Sequence, residues 1–411
     1  MMIWTRPIDN QPMAGRLHIA NAVREVFREV ATVREHVMIP AIVDRRLSAK
    51  VGAFAAWAKS VFQGPLLPLQ CSLYAGDDEI ARAIAAVGPD VQTIYLDGVR
   101  TFSVLRELRS RFPDLRLIVD LDDLMSRRLQ LLLQAKLPLS PGHLTMDLPR
   151  LATRLIGFLS RVIVRYEAYT LPAVEAAVTH LADLVVLLSA EDMSMLGGTG
   201  GARRETILPR VAQTSLQMLL KPGRLRFIFI GSDALTQNRL TIDYLIALWR
   251  SNTIEHELVI FGRQTRELSL PPRVSTPGYA EDMAEIYDGR SVLVSPSFLR
   301  GGIKTKVLEA FAHGVPVIGN AATFESLALD DYPLKIDDEA VLVALLRDPE
   351  SHRTILSQAI ALGTEYLASA HAPAKFADRW AAALRGGVVP SSRRRRRGYI
   401  EKRASSIRVE G

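Results

Sequence analysis

Cysteine is almost absent from this 411-residue chain, in which Cys71 is the only one. One thiol excludes an internal disulfide framework and any zinc site built on several cysteines, and it suits a reducing compartment, so the cytoplasm is the expected location. Long apolar runs are missing too. There is no stretch of about 18 uncharged apolar residues for a spanning helix, and the opening MMIWTRPIDNQP lacks the apolar core of a signal peptide. The folded body also lacks a strong charge. The formal net charge is +7, but between Ser391 and Gly411 eight Lys or Arg face two Glu, which leaves about +1 for the rest of the chain. So weak a global charge argues against a nucleic-acid partner.

What is present describes an ordinary globular protein of two or three domains, 48% hydrophobic and 23% charged. Residues 1–210 read as one α/β unit: strand MIWT, a turn-rich loop ending at Gly15, a helix over 16–30, candidate strands HVMIPAIV and LPLQCSLY around a helix over 47–62, and then regular alternation through VQTIYL and LRLIVD. Gly15 and Arg16 fall at a carboxyl-edge loop, where ligands of such sheets bind. A helical stretch over 148–169 mixes Arg with Leu, Ile and Phe; it is either a buried helix with a wet basic face or a helix lying on an anionic bilayer. LADLVVLLS and ETILP close the unit. A connection over 211–224 leads to a second α/β unit over 225–390, which begins with RFIFIG and ends in a helix over 374–384. The tail 391–411 reads as disordered, and is either a solvated end or a segment drawn to anionic lipid.

The second unit is organised around SVLVSPSFLRGGIKTKVLEAFAHGVPVIGNAATFESL, residues 291–327. This predicts a buried parallel strand, a turn at Gly301 and Gly302, a helix from Ile303, a stop at Gly314 and a further strand. A helix N-terminus at the carboxyl edge of a parallel sheet is an anion site. Lys304 and Lys306 in its first turn oppose the helix dipole unless an anion is bound, which favours a phosphate. Glu309 lies opposite the apolar stripe, where it either accepts the two hydroxyls of a ribose or forms a surface pair with Lys306.

The strand LRLIVD runs into LDDLMSRR, so Asp120, Asp122 and Asp123 cluster at its carboxyl end. Such a cluster binds a metal, serves as base and orienter for an acceptor hydroxyl, or else caps the next helix and pairs with Arg127 or Arg128.

GGIKTKVLEAFAHGVPVI, LADLVVLLSAEDMSML, FIFIGSDALTQNRLTIDYL and VSTPGYAEDMAEIYDGRSVLVSPS together resemble the retaining glycosyltransferases of GT-B fold, family 4. The resemblance covers roughly residues 90 to 385 and is strongest over 225–327. It implies two Rossmann-like domains facing a central cleft, with the acceptor on the first and a nucleoside-diphosphate sugar on the second. By this resemblance Glu309 binds the ribose, Gly301, Gly302 and Ile303 offer N–H groups to the diphosphate, and Lys304 and Lys306 oppose the charge of the leaving group. Arg239 is the nearest basic residue on the helix after the first strand of the second domain, and Asp122 stands where the family often has histidine, with Asp123 beside it. The family's first donor-site glutamate is replaced here by Gly301. The implied activity is sugar transfer to a saccharide or lipid-linked acceptor in cell-surface polysaccharide assembly, with no cofactor and no resident metal. A catalytically silent scaffold that partners an active enzyme is the competing expectation, and the basic tail is the expected contact with an anionic membrane face.

Overall fold

A computed structural model describes residues 1–9, 16–135, 150–211 and 220–386. Gly15, most of the connection over 211–224 and the whole basic tail 391–411 therefore lie outside the described residues, as do residues 136–149.

The first sheet has six strands: β1 (Met2–Trp4), β2 (Glu35–Val37), β3 (Thr93–Asp97), β4 (Arg116–Asp122), β5 (Leu184–Leu187) and β6 (Arg203–Thr206), in the order β2-β1-β3-β4-β5-β6. The second has five: β7 (Arg226–Ile230), β8 (Leu258–Phe261), β9 (Val274–Gly278), β10 (Ser291–Val294) and β11 (Val317–Ile318), in the order β11-β10-β7-β8-β9. Neighbouring strands pair in parallel, with Val292 opposite Phe227 and Val119 opposite Val185. The central strands are buried on both faces, which is why LRLIV, LVVL and SVLV are continuous apolar runs rather than alternating ones. Each sheet carries helices on both sides and its own core.

Two expected strands are corrected. LPLQCSLY contains a short helix, Leu69–Ser72. Pro68 has no N–H for a ladder and holds φ at −54°, and its carbonyl accepts from the N–H groups of Cys71 and Ser72 at 3.0 and 2.9 Å, so the chain turns. HVMIPAIV yields only the short edge strand β2, because the Pro40 carbonyl gathers the N–H groups of Val43 and Asp44. The last described helix, Pro373–Arg385, crosses to the first unit. Trp380 is buried there against Phe27 and Tyr95, with ring centroids 5.7 and 5.8 Å away, and Arg116 donates to the Ala383 carbonyl.

Candidate functional site

In the second sheet the chain leaves β7 toward β8 but leaves β10 toward β11, so the loops after β7 and β10 diverge and open a crevice at the carboxyl edge. One wall begins at Gly231, where a Cβ would stand 2.6 Å from the Asn238 carboxamide carbon; the missing side chain lets Asn238 lie against the backbone. The other wall is the loop to the helix Thr305–Ala312. That helix starts two residues later than expected. Gly301 and Gly302 hold φ at +84° and +64°, which keeps the backbone out of the right-handed helical region, and Lys304 becomes the residue preceding the first turn. Val307, Leu308, Ala310 and Phe311 anchor the helix in the core, and Gly314 at φ +65° ends it.

Lys306 points inward. Its Nζ donates to Asn238 Oδ1 at 2.9 Å and lies 4.2 Å from the centroid of the Phe229 ring. Burial, helped by repulsion from Lys304, lowers its pKa to about 7, while Glu309 pulls in the opposite direction. Lys304 donates to the Gly301 carbonyl, and burial lowers its pKa to about 8, opposed by the nearby Asp123. Glu309 is half-buried, and desolvation raises its pKa against the fields of His18 and Lys306. The Lys306–Glu309 surface pair is thus corrected: Lys306 is desolvated and bonds to Asn238. Two half-buried lysines whose pKa values desolvation drives down form a site whose electrostatics improve when an anion enters.

Three carboxylates at the end of β4 have different fates. Asp120 is fully buried, accepting from Tyr95 Oη at 2.7 Å and from the Asp122 N–H at 3.0 Å, and so is structural. A bulge follows between Asp120 and Asp122, and Asp122 takes φ of +67°, a strained conformation for a residue with a side chain. Asp123 pairs with Arg128 at 3.4 Å and reaches across to the donor-side loop: a Cβ on Gly302 would stand 3.0 Å from its Oδ2. Leu124, not an aspartate, occupies the cap of the next helix, Met125–Gln134. Among the described residues no group of His, Cys, Asp and Glu is placed to hold a metal.

The Gly301 N–H, expected to face a diphosphate, donates instead to Glu325 Oε2 at 2.7 Å. Glu325 also takes Arg300 at 3.2 Å and, from the first domain, Arg127 at 3.4 Å. Arg127 is itself buried against Asp192 and Glu191, both at 2.6 Å. Glu325 gave no sequence signal, because it lies 24 residues after Gly301 at the end of a four-residue helix, Ala321–Phe324. Arg239 sits in the helix Thr236–Ser251 beside Asn238, and it is Asn238, not Arg239, that reaches Lys306. Gly302 and Ile303 form the rest of the loop, with Ile303 packed against both domains' cores. Arg16 is the first residue of the helix Arg16–Val30, whose His18 faces Glu309 across the cleft.

Residues 224–351 match the family model described as glycosyl transferases group 1. Among solved structures, the chain is similar to sucrose-phosphate synthase from Thermosynechococcus elongatus, with 13% identity, TM-score 0.61, and coverage of 93% of this chain and 98% of that one. It is similar as well to the apo form of the lipopolysaccharide outer core galactosyltransferase WaaB, with 11% identity, TM-score 0.54 and coverage of 93% and 98%. A third is Anabaena HepE in complex with UDP and glucose, with 12% identity, TM-score 0.54 and coverage of 93% and 99%. The fold is GT-B. No curated protein matches the chain. In GT-B terms the β7/β10 crevice belongs to the second Rossmann-like domain, and the end of β4 faces it from the first.

Proposed function

We propose that the chain transfers a sugar from a nucleoside-diphosphate sugar to a saccharide or lipid-linked saccharide acceptor, with retention at the anomeric carbon. The observation that carries this reading is the half-buried pair Lys304 and Lys306, the second beside Glu309, at the switch-point crevice. Breaking the bond between the sugar and the diphosphate leaves the electron pair on a phosphate oxygen. The two lysines and the N–H groups of Gly302 and Ile303 would stabilise that charge, with no resident metal needed for it. Glu309 would hold the ribose, and Arg239 would stand at the crevice rim. The acceptor would approach from the first domain, with Asp122 or Asp123 near its hydroxyl and the start of the helix Arg16–Val30 alongside. Closure of the cleft would exclude water.

Titration calorimetry with nucleoside diphosphates and their sugars tests this. Saturable binding that Glu309→Gln weakens at least tenfold is expected, and no heat with any common nucleotide refutes the reading. One observation favours a second reading, a GT-B scaffold without catalysis. The Glu325 carboxylate already takes the Gly301 N–H and is locked by Arg127, so an anion must displace it or do without that donor. Sugar release or transfer by the purified protein excludes the scaffold.

A further inference from the structure

The helix Leu47–Ser60 is built inside out. Its inner face is small: Gly52, Ala53, Ala56 and Ser60 allow a close approach, and a Cβ on Gly52 would stand 3.4 Å from the Gly76 Cα. Its large apolar residues point the other way. At 100° per residue, Leu47, Val51, Phe54 and Ala58 fall on one stripe, and Val61 and Phe62 extend it past the end of the helix. Leu47 is 74% exposed, Val51 58%, Phe54 67% and Phe62 88%. The preceding turn adds exposed Ile42 and Val43. A stripe this long is far beyond the scattered single exposures of an ordinary surface.

Charge tells what covers it. Lys50 and Lys59 project on opposite flanks of the stripe, with Arg45 and Arg46 at its head. The one acid in residues 39–62, Asp44, is taken by Arg46 at 2.7 Å. In the adjoining helix, which Gly76 packs against Gly52 and Ala53, Asp78 and Glu79 act on Arg46 at the head of the stripe, which leaves Lys50, Lys59 and Arg45 as its basic flank. Trp57 connects the stripe to the long helix Arg150–Leu181, its ring tilted against Phe54 with centroids 5.7 Å apart and its Nε1 donating to Tyr166 Oη at 2.6 Å. That helix adds exposed Val162, Ile163 and Tyr169 with Arg161 and Arg165, while its acids Glu167 and Glu175 are buried, the first held by Gln70. An apolar stripe flanked by lysines and bordered by Trp and Tyr fits the interface of a bilayer, where rings and aliphatic stems enter the acyl boundary and ammonium groups meet phosphate. No described helix is long and apolar enough to cross a membrane, so the contact is peripheral.

We infer that the outer face of residues 42–62, extended by Val162, Ile163 and Tyr169, seats the first domain on an anionic lipid bilayer. The surface follows β2, an edge strand of the first sheet. This inference does not depend on the sugar-transfer reading, since its test measures no activity.

Flotation of the full chain with vesicles of phosphatidylcholine alone, and with equimolar phosphatidylglycerol added, tests it. The protein should float with the anionic vesicles and stay behind with the neutral ones. Phe54→Asp combined with Phe62→Asp should reduce recovery at least tenfold, and Lys50→Gln with Lys59→Gln should weaken binding by about 25-fold, at about fivefold per lysine. These side chains are exposed, so melting temperatures should not move, which separates lost docking from lost folding. Replacing Arg393 to Arg397 by Ser should leave flotation in place. The inference is overturned if the wild type fails to float, if the aspartate variant floats as well as the wild type, or if the tail variant alone abolishes binding. A dimer that Phe54→Asp converts to monomer, without vesicle binding, would give the face to a second copy and overturn it too.

Discussion

At pH 8, binding of a nucleoside diphosphate should draw protons from solution. Lys306 titrates at about 7 and Lys304 at about 8 because both are desolvated and Lys304 repels Lys306. At that pH about a tenth of the Lys306 side chains and about half of the Lys304 side chains are charged. A diphosphate beside them favours the charged forms, and if both return to their ordinary range, about 1.4 protons are taken up per ligand. The ligand's own second ionisation lies near 6, so at pH 8 it contributes little. Affinity should fall about tenfold from pH 7 to pH 8 and about fiftyfold from pH 8 to pH 9. Calorimetry at pH 8 in buffers of low and high ionisation enthalpy reads the uptake directly. Lys306→Met should remove about 0.9 of a proton from it. Uptake below about 0.3 proton with affinity flat across pH 7 to 9 would refute the placement of both lysines at the anion.

Other predictions concern the frame of the site. Arg127→Ala leaves the buried Asp192 carboxylate without its partner and should cost about 3–5 kcal/mol in urea unfolding; a cost under about 1 kcal/mol would show the ion pair to be dispensable. Gly363→Ala drives a Cβ to 2.4 Å from Phe311 Cδ1, so thermal stability should fall by about 1–3 kcal/mol and the helix bearing Lys306 should be displaced, with weaker nucleotide binding as the second readout. Glu175, buried in the helix Arg150–Leu181, has its carboxyl raised to about 7 by desolvation despite a bond from the Ser126 N–H. The native state then holds a proton that the unfolded state has lost between pH 4.5 and 7, so stability should decline by about 3 kcal/mol as pH rises through that window. Unfolding of Glu175→Gln at pH 5 and pH 7.5 should show that decline removed, and an unchanged pH profile would contradict the assignment.

Local rules carried the reading far where one segment sufficed. Gly301 and Gly302 needed only the absence of a Cβ to predict a turn, and SVLVSPS needed only its apolar run to predict a central strand. Local rules failed where distant groups compete. LPLQCSLY has strand-like composition, yet Pro68 turns the chain into a short helix instead. Nothing around residue 325 marks Glu325 as the acceptor for the Gly301 N–H, because that bond depends on a loop and a short helix meeting in space. The inverted helix Leu47–Ser60 was legible as a helix but not as an exposed one, since periodicity locates an apolar stripe without saying what lies against it.

By itself the sequence determined the α/β alternation, the parallel strands and the helix of Lys306 and Glu309 that follows the Gly301–Gly302 turn, because these follow from periodicity and turn chemistry. Tertiary structure alone decided that Lys306 turns in over Phe229, that Asp120 is structural while Asp123 faces the cleft, that Glu325 holds the Gly301 N–H, and that Phe54 faces outward. Each of these depends on desolvation or on partners far apart in the chain, and neither is a property of any single segment.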